Sequence, residues 1–351
     1  MRNPAGDGIG HLVDRHPAVS PERLIAQLKP PPTFAGVSFA TYRPDPAQPT
    51  QAAAVTACTA FCRQAAERRA GRRTLLGKRV VLPGLGLYLD GGFGVGKTHL
   101  LASVYRELTD TAGRVGKHKD VHPTAFATFM ELTQLAGVFG FTECIDLLGD
   151  YTVVCIDEFE LDDPGNTTLV SRLLSELVAR GVSVAATSNT LPEQLGEGRF
   201  AVHDFLREIN MLAKIFTAVR IDGPDYRHRD MAAAPEPPSE QEVAARVAGA
   251  PGSTLDDFDA LCEHLATMHP SRYLTLIEGV SMVFLTGAHR IEDQNVALRL
   301  VALTDRLYDA GIPVVASGVK LDGIFSAEML AGGYRKKYLR ATSRLLALAR
   351  S

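Results

Sequence analysis

The chain has 351 residues, 46% hydrophobic and 22% charged, with a formal net charge of -3. That length sets two domains as the first expectation, and the small negative charge supplies no global basic field for a polyanion, leaving only a local groove open to nucleic acid. No apolar run approaches the roughly 20 residues that cross a bilayer, and Met1–Gly10 is polar and glycine-rich, so a cytoplasmic protein is expected.

Prolines at 30 to 32, 44, 46 and 49 make residues 1–50 an extended arm with one short helix near Pro21–Leu28. Thr50–Arg69 is alanine-rich and reads as a helix. It carries Cys58 and Cys62, which with Cys144, Cys155 and Cys262 make an odd, scattered set expected to be buried reduced thiols. Leu85–Leu89 is a short apolar strand that ends in glycines, and His99–Thr111 follows as a helix. Ala125–Phe129 and Thr152–Ile156 read as strands. Asn166–Arg180 has leucines and valines at helical spacing, and Val182–Thr187 and Phe216–Ile221 complete the strands. Strands alternating with helices predict a parallel sheet with crossover helices over residues 51–230. Such a sheet binds ligands at the carboxyl ends of its strands.

Residues 231–252, rich in Ala, Pro, Glu and Gly, read as a linker or mobile insertion. Residues 253–351 read as a C-terminal α/β domain: helix Leu255–Met268, strand Ser281–Leu285, helix Asn295–Ala310, strand Pro313–Ala316 and helix Tyr334–Ala349. One internal similarity stands out. Residues 180–191, Arg-Gly-Val-Ser-Val-Ala-Ala-Thr-Ser-Asn-Thr-Leu, resemble residues 310–321, Ala-Gly-Ile-Pro-Val-Val-Ala-Ser-Gly-Val-Lys-Leu. In both, an apolar strand and a leucine-rich helix come before. The first of those strands ends in Asp157-Glu158, the second in Thr286-Gly287. The pattern fits a degenerate, lid-like half-repeat without catalytic acids; the competing reading is that any two strand-helix-strand units look alike.

Gly91, Gly92, Phe93, Gly94, Val95, Gly96, Lys97 and Thr98 fit the phosphate-loop pattern G-x-x-x-x-G-K-T, placed between a strand and a helix. Glycines let successive N–H groups curl toward a phosphate, and the helix N-terminus at His99 adds partial positive charge. Lys97 is expected on the β- and γ-phosphates of ATP and the Thr98 hydroxyl on Mg2+. The Val153–Ile156 strand runs into Asp157 and Glu158. A carboxylate ending an apolar strand needs a cation, so Asp157 is expected to hold Mg2+ and Glu158 to activate water. Asn189, ending the next strand, is placed to touch the γ-phosphate, or else caps the following turn. Arg199 is either a surface arginine or the one that reaches a neighbouring subunit's γ-phosphate, which implies a homo-oligomer; Arg207 is its alternative. Tyr226 to Arg229 contacts nucleotide or pairs with Asp222 and Asp225. Arg335, Arg340 and Arg344 are either lid arginines or part of a solvated face. The asparagine-lysine motif by which GTPases read guanine is absent.

The order of phosphate loop, Asp-Glu strand, Ala186-Thr187-Ser188-Asn189 and Asp225-Tyr226-Arg227 resembles the ZapE family of cell division ATPases, over most of residues 35–350. Ala40 to Pro46 (Ala-Thr-Tyr-Arg-Pro-Asp-Pro) and Leu303 to Asp309 (Leu-Thr-Asp-Arg-Leu-Tyr-Asp) are the more specific parts. The resemblance implies an α/β P-loop NTPase fold of the AAA+ type: a parallel sheet flanked by helices, with a C-terminal α/β region and an N-terminal arm. It also implies ATP hydrolysis linked to cytokinesis and the FtsZ ring. The departures lie at Ala125 to Met130 and Glu160 to Asp163, and in the shortened stretch before Arg199. The rival from another class is a helicase- or transposase-loader adaptor acting on nucleic acid.

Overall fold

The computed structural model describes residues 9–18, 20–73, 79–92, 94–114, 124–159, 164–190, 206–224 and 235–349. The chain divides into two compact units, Ser20–Tyr226 and Met1–Val19 together with Arg227–Ser351.

The first unit opens with α1 (Pro21–Ala26), capped by the Ser20 hydroxyl on Arg23 N, and continues into the long α2 (Pro49–Ala70). Two short strands, β1 (Arg72–Arg73) and β2 (Arg79–Val80), pair antiparallel. The main sheet contains β3 (Gly86–Gly91), β4 (Thr124–Thr128), β5 (Val153–Asp157), β6 (Ser183–Ser188) and β7 (Phe216–Ile221), all parallel, in the order β4-β5-β6-β3-β7. The strand that enters the phosphate loop and the strand that ends in the acids are therefore not neighbours; β6 lies between them. Val153 to Ile156 are apolar on both faces, as a strand covered on both sides by helices must be, and β5 and β6 are buried end to end.

One face packs on α2 and on α3 (Lys97–Arg114): Leu87, Leu89, Val153 and Cys155 meet Cys58, Phe61, Leu101 and Val104. The opposite face carries a cluster of rings, Tyr88, Phe129, Phe159 and Phe216, at centroid distances of 5.3 to 6.2 Å in edge or tilted contacts. Three helices in this unit have no counterpart in the sequence-based reading: α4 (Phe129–Phe139), started by a Thr128/Glu131 capping box, α5 (Phe141–Gly149) and α7 (Leu206–Ile215). The remaining helix is α6 (Pro164–Ala179). The outer edge of β4 is covered by the arm, with Phe126 N donating to Leu28 O at 3.1 Å.

The second unit begins with α8 (Glu240–Ala248), which corrects the reading of 231–252 as a linker. Ser239 and Glu242 form a capping box, and Val243 and Val247 bury against Phe284 and Val315. Alanine and glutamate, read there as marks of a linker or mobile insertion, are good helix formers. The expected helix Leu255–Met268 is a strand and a shorter helix, β8 (Thr254–Asp257) and α9 (Phe258–Ala266). The break falls at Asp257, whose extended backbone and carboxylate on Ala260 N start the helix. The short α10 (Tyr273–Leu276) comes next, then β9 (Val283–Ala288), α11 (Gln294–Ala310), β10 (Val314–Gly318), α12 (Ala327–Ala331) and α13 (Arg335–Leu348). The three strands are parallel in the order β10-β9-β8.

The start of the chain is built into this unit. Gly10 pairs with Thr254, and the buried Asp256 carboxylate accepts Leu12 N at 3.0 Å and Val13 N at 3.1 Å. The stretch expected as one arm over 1–50 is thus divided between the two units. Arg340 and Arg344 on α13 also differ from expectation. Neither faces solvent: both clasp Asp305 of α11, with Arg340 Nη2 2.7 Å from Oδ2 and Arg344 Nη1 on Oδ1. Burial alone would push the Asp305 carboxyl up, but the two guanidinium groups outweigh it and hold it below its usual value.

Candidate active site

The carboxyl ends of β3, β6 and β5 lie side by side and bring the expected residues together. β3 runs into the glycine loop, where Gly94 and Gly96 have φ of 72° and 89°, a left-handed backbone open to residues without a Cβ. Gly96 is doubly constrained, since a Cβ there would meet a Tyr42 ring carbon at 2.5 Å. Tyr42 closes the loop from outside and donates its hydroxyl to Val95 O at 2.9 Å. His99, in the first turn of α3, is held by the same arm: its Nε2 lies 3.1 Å from both Ser38 O and Thr41 Oγ1, and its ring meets Tyr42 edge-on at 5.5 Å.

Lys97 turns its ammonium across the loop, donating to Gly91 O at 3.0 Å, Gly92 O at 2.6 Å and Asn189 Oδ1 at 2.9 Å. Asn189 at the end of β6 is therefore in reach of the lysine. Next along α3, Thr98 Oγ1 donates to Asp157 Oδ1 at 3.1 Å, so the helix and the acidic strand meet at one oxygen. Asp157 is buried, 8% exposed. Glu158 follows it with φ of 54°, the only non-glycine residue of positive φ among the described residues. The turn is pinned by the next residue, as Phe159 is buried within the ring cluster and its N–H donates to Thr187 O at 2.7 Å.

A hydroxyl and a carboxylate are hard oxygen donors, the kind Mg2+ takes together with phosphate oxygens. Thr98 and Asp157 fit that ion. The thiols do not compete: all five cysteines are buried and free, and burial pushes the Cys58 thiol up to about 12. Among the described residues no cluster of three His, Cys, Asp or Glu side chains is arranged to hold a metal. Phe93, Arg199 and Tyr226 to Arg229 lie outside the described residues, as does the side chain of Arg207, whose backbone falls in α7. Asp222 pairs with Arg220 at 3.0 Å.

Three residues near the site escaped the sequence-based reading. Tyr42 sat within the Ala40–Pro46 segment, without a role. Thr187 stood two places before Asn189, and what it does depends on the register between strands. Asp90, the residue before the loop, is fully buried; one oxygen binds Arg220 at 2.6 Å and the other has no hydrogen-bond partner among the described residues. An aspartate directly after the apolar stretch Leu87 to Leu89 was the visible signal.

A parallel sheet whose strand ends combine a glycine loop, Lys97, Thr98 and the Asp157-Glu158 pair defines a P-loop ATPase of the AAA+ type. The AFG1-like ATPase family matches residues 18–250 and 231–351, and the chain belongs to that family. It is similar to the cell division protein ZapE of Escherichia coli K12, 26% identical over 300 residues, covering 75% of this chain and 77% of that protein. It is also similar to an uncharacterised protein of Schizosaccharomyces pombe, 31% identical over 157 residues, covering 42% of this chain and 34% of that one. Among solved structures, DnaI is 20% identical with a TM-score of 0.40, covering 54% of this chain and 94% of that one. Among the described residues no helix is long and apolar enough to cross a membrane.

Proposed function

We propose that this ATPase hydrolyses ATP in an Mg2+-dependent reaction at the ends of β3, β5 and β6, and that it serves cell division by acting on the FtsZ ring. The observation that carries the catalytic part is the pair of contacts Thr98 to Asp157, 3.1 Å, and Lys97 to Asn189, 2.9 Å, which join the loop and helix after β3 to the ends of β5 and β6.

Arriving phosphates compete with the carbonyls of Gly91 and Gly92 for the Lys97 ammonium. A charge-assisted bond to phosphate is stronger than one to a neutral carbonyl, so the lysine transfers to the β- and γ-oxygens. The amides of Gly92 to Thr98 and the start of α3 at His99 hold the same phosphates. Thr98 and Asp157 hold Mg2+, which when bound neutralises charge building on the phosphate oxygens. Glu158 takes the proton of the attacking water as its oxygen bonds to Pγ; the bond from Pγ to the bridging oxygen breaks and ADP leaves with those electrons. Asn189 orients the γ-phosphate. Arg199 from a neighbouring subunit stabilises the departing charge, with Arg207 as the alternative, which makes the working form a homo-oligomer.

The partner assignment rests on the similarity to ZapE. Residues 124–151, between the start of β4 and the start of β5, contain four acids and no Lys or Arg, so this segment itself offers no cation to a phosphate backbone. We further propose that β9, α11 and β10 form a degenerate half-repeat of β5, α6 and β6 with a lid-like role. The test of the cellular role is ATP turnover with FtsZ polymers and, separately, with single-stranded DNA. FtsZ should accelerate turnover and DNA should not; acceleration by DNA alone would move the protein to the loader class.

A further inference from the structure

We propose that Thr187 is a positioning residue for hydrolysis, setting the geometry of Asp157 and Glu158 together through a single hydroxyl; this rests on the roles given to those two acids. Thr187 lies on β6, between the loop strand and the acidic strand, and is 2% exposed. Its Oγ1 donates to Asp157 Oδ1 at 2.5 Å and accepts from Glu158 N at 3.1 Å, while its carbonyl accepts Phe159 N at 2.7 Å. One residue thus holds three consecutive residues of the acidic turn.

The bonds depend on one another. A threonine hydroxyl has a single proton, and here it is committed to a carboxylate, which fixes the rotor and turns a lone pair toward Glu158 N. That bond helps keep Glu158 in a left-handed backbone, an unfavourable state for a residue with a Cβ that persists only where the surroundings enforce it. Thr98 Oγ1 donates to the same Asp157 oxygen. When the Thr98 oxygen turns its lone pairs to a cation, Thr187 remains as the donor that holds the Asp157 carboxylate in place. Partners of this kind, behind a metal ligand, change metal affinity or activity by about 10–100-fold when removed.

The second unit supplies an internal control. Ser317 stands on β10 where Thr187 stands on β6: Ala186 pairs with Ile156, and Ala316 pairs with Leu285. Ser317 Oγ accepts Gly287 N at 3.1 Å, and Gly287 has φ of 69°. The bond from an amide of positive φ to a hydroxyl of the neighbouring strand is therefore common to both units and is architectural. The bond to Asp157 belongs to the ATPase unit alone, because the matching place in the second unit is Thr286.

The test uses the full chain and the variants Thr187→Val, Thr187→Ser, Ser317→Ala and Glu158→Gln. The readouts are ATP turnover at saturation, the Mg2+ concentration for half-maximal rate, binding of a fluorescent ATP analogue without Mg2+, and the melting midpoint. Thr187→Val should lower kcat by about 10–100-fold and raise the Mg2+ requirement. Metal-free nucleotide binding should stay within about threefold, since Lys97 and the loop are untouched. Thr187→Ser should restore most of the rate. Ser317→Ala should lower the melting midpoint and leave kcat unchanged. If the valine variant does not fold, Thr187→Ala is read in its place by the same criteria. A near-normal kcat in Thr187→Val with a dead Glu158→Gln overturns the proposal alone, as do equal losses in the serine and valine variants. Full turnover in Glu158→Gln removes the underlying assignment instead.

Discussion

In the first unit β5 leads into α6 and the chain returns on β6; in the second, β9 leads into α11 and the chain returns on β10. Both returns are parallel, and the registers correspond, Ile156 with Ala186 and Leu285 with Ala316. Glu158, just after β5, and Gly287, the next-to-last residue of β9, both have a positive φ, 54° and 69°, and each donates its amide to a hydroxyl of the neighbouring strand at 3.1 Å. The difference lies in what occupies the left-handed position. Glycine is at home in a left-handed backbone, whereas a residue with a Cβ is disfavoured there by about 1–2 kcal/mol. A glutamate at that position is unfavourable for stability, and the water activation proposed above is a role that would account for it. The same frame holds acids in one unit and Thr286-Gly287 in the other.

If that contrast is right, changes at the strand ends of the first unit should remove chemistry with little loss of stability, and changes in the second unit should do the reverse. The largest effect on ATP binding is expected from Lys97→Ala. Losing charged hydrogen bonds to two phosphates should weaken ATP binding by about 3 kcal/mol, a hundredfold or more, as titration calorimetry would measure. In the second unit, Asp305→Asn leaves two buried guanidinium groups without their carboxylate. It should cost that unit about 3–5 kcal/mol in denaturant unfolding while ATP turnover in the cold survives. A dead but stable Asp305→Asn variant would break the comparison.

The same aspartate predicts a pH dependence. Its carboxyl is held below the usual value in the folded state, so its contribution is present above the unfolded value near ~4 and is lost as pH falls through the lower folded value. The melting midpoint of the second unit should be insensitive to this group from neutral pH down to about 5 and drop in stronger acid. The drop should be smaller in Asp305→Asn.

The smallest effects on stability have opposite signs at the two residues of positive φ. Gly287→Ala should destabilise by about 1 kcal/mol. A Cβ there meets nothing closer than Asp257 Oδ2 at 3.7 Å, so the cost is conformational. Glu158→Gly should not lose stability, although it abolishes turnover. Thermal melts of the two variants beside the wild type decide this.

The phosphate loop and the acidic strand were legible in the sequence because their signals are local: glycines around a lysine, and an apolar run ending in two carboxylates. The strand bounds followed from the same apolar runs. What was not legible depends on register or distance. Asp305 lies 35 and 39 residues from the arginines it clasps, so α13 read as a lid or a solvated face. Thr187 acts through strand pairing that no spacing reveals, and only its neighbour Asn189 drew attention. For α8 the local signal was present, Ser239 followed by Glu242, but the surrounding alanine and proline obscured it. The four-residue β8 was absorbed into the helix that follows because Asp257 ends one and caps the other.

The most direct test of the account compares ATP binding with single-turnover hydrolysis in Glu158→Gln. The account predicts wild-type affinity for ATP with Mg2+ and a hydrolysis rate reduced by about 10²–10⁴-fold, the size of a lost general base. Hydrolysis at the wild-type rate would contradict it, because the acidic turn would then have no part in the chemistry.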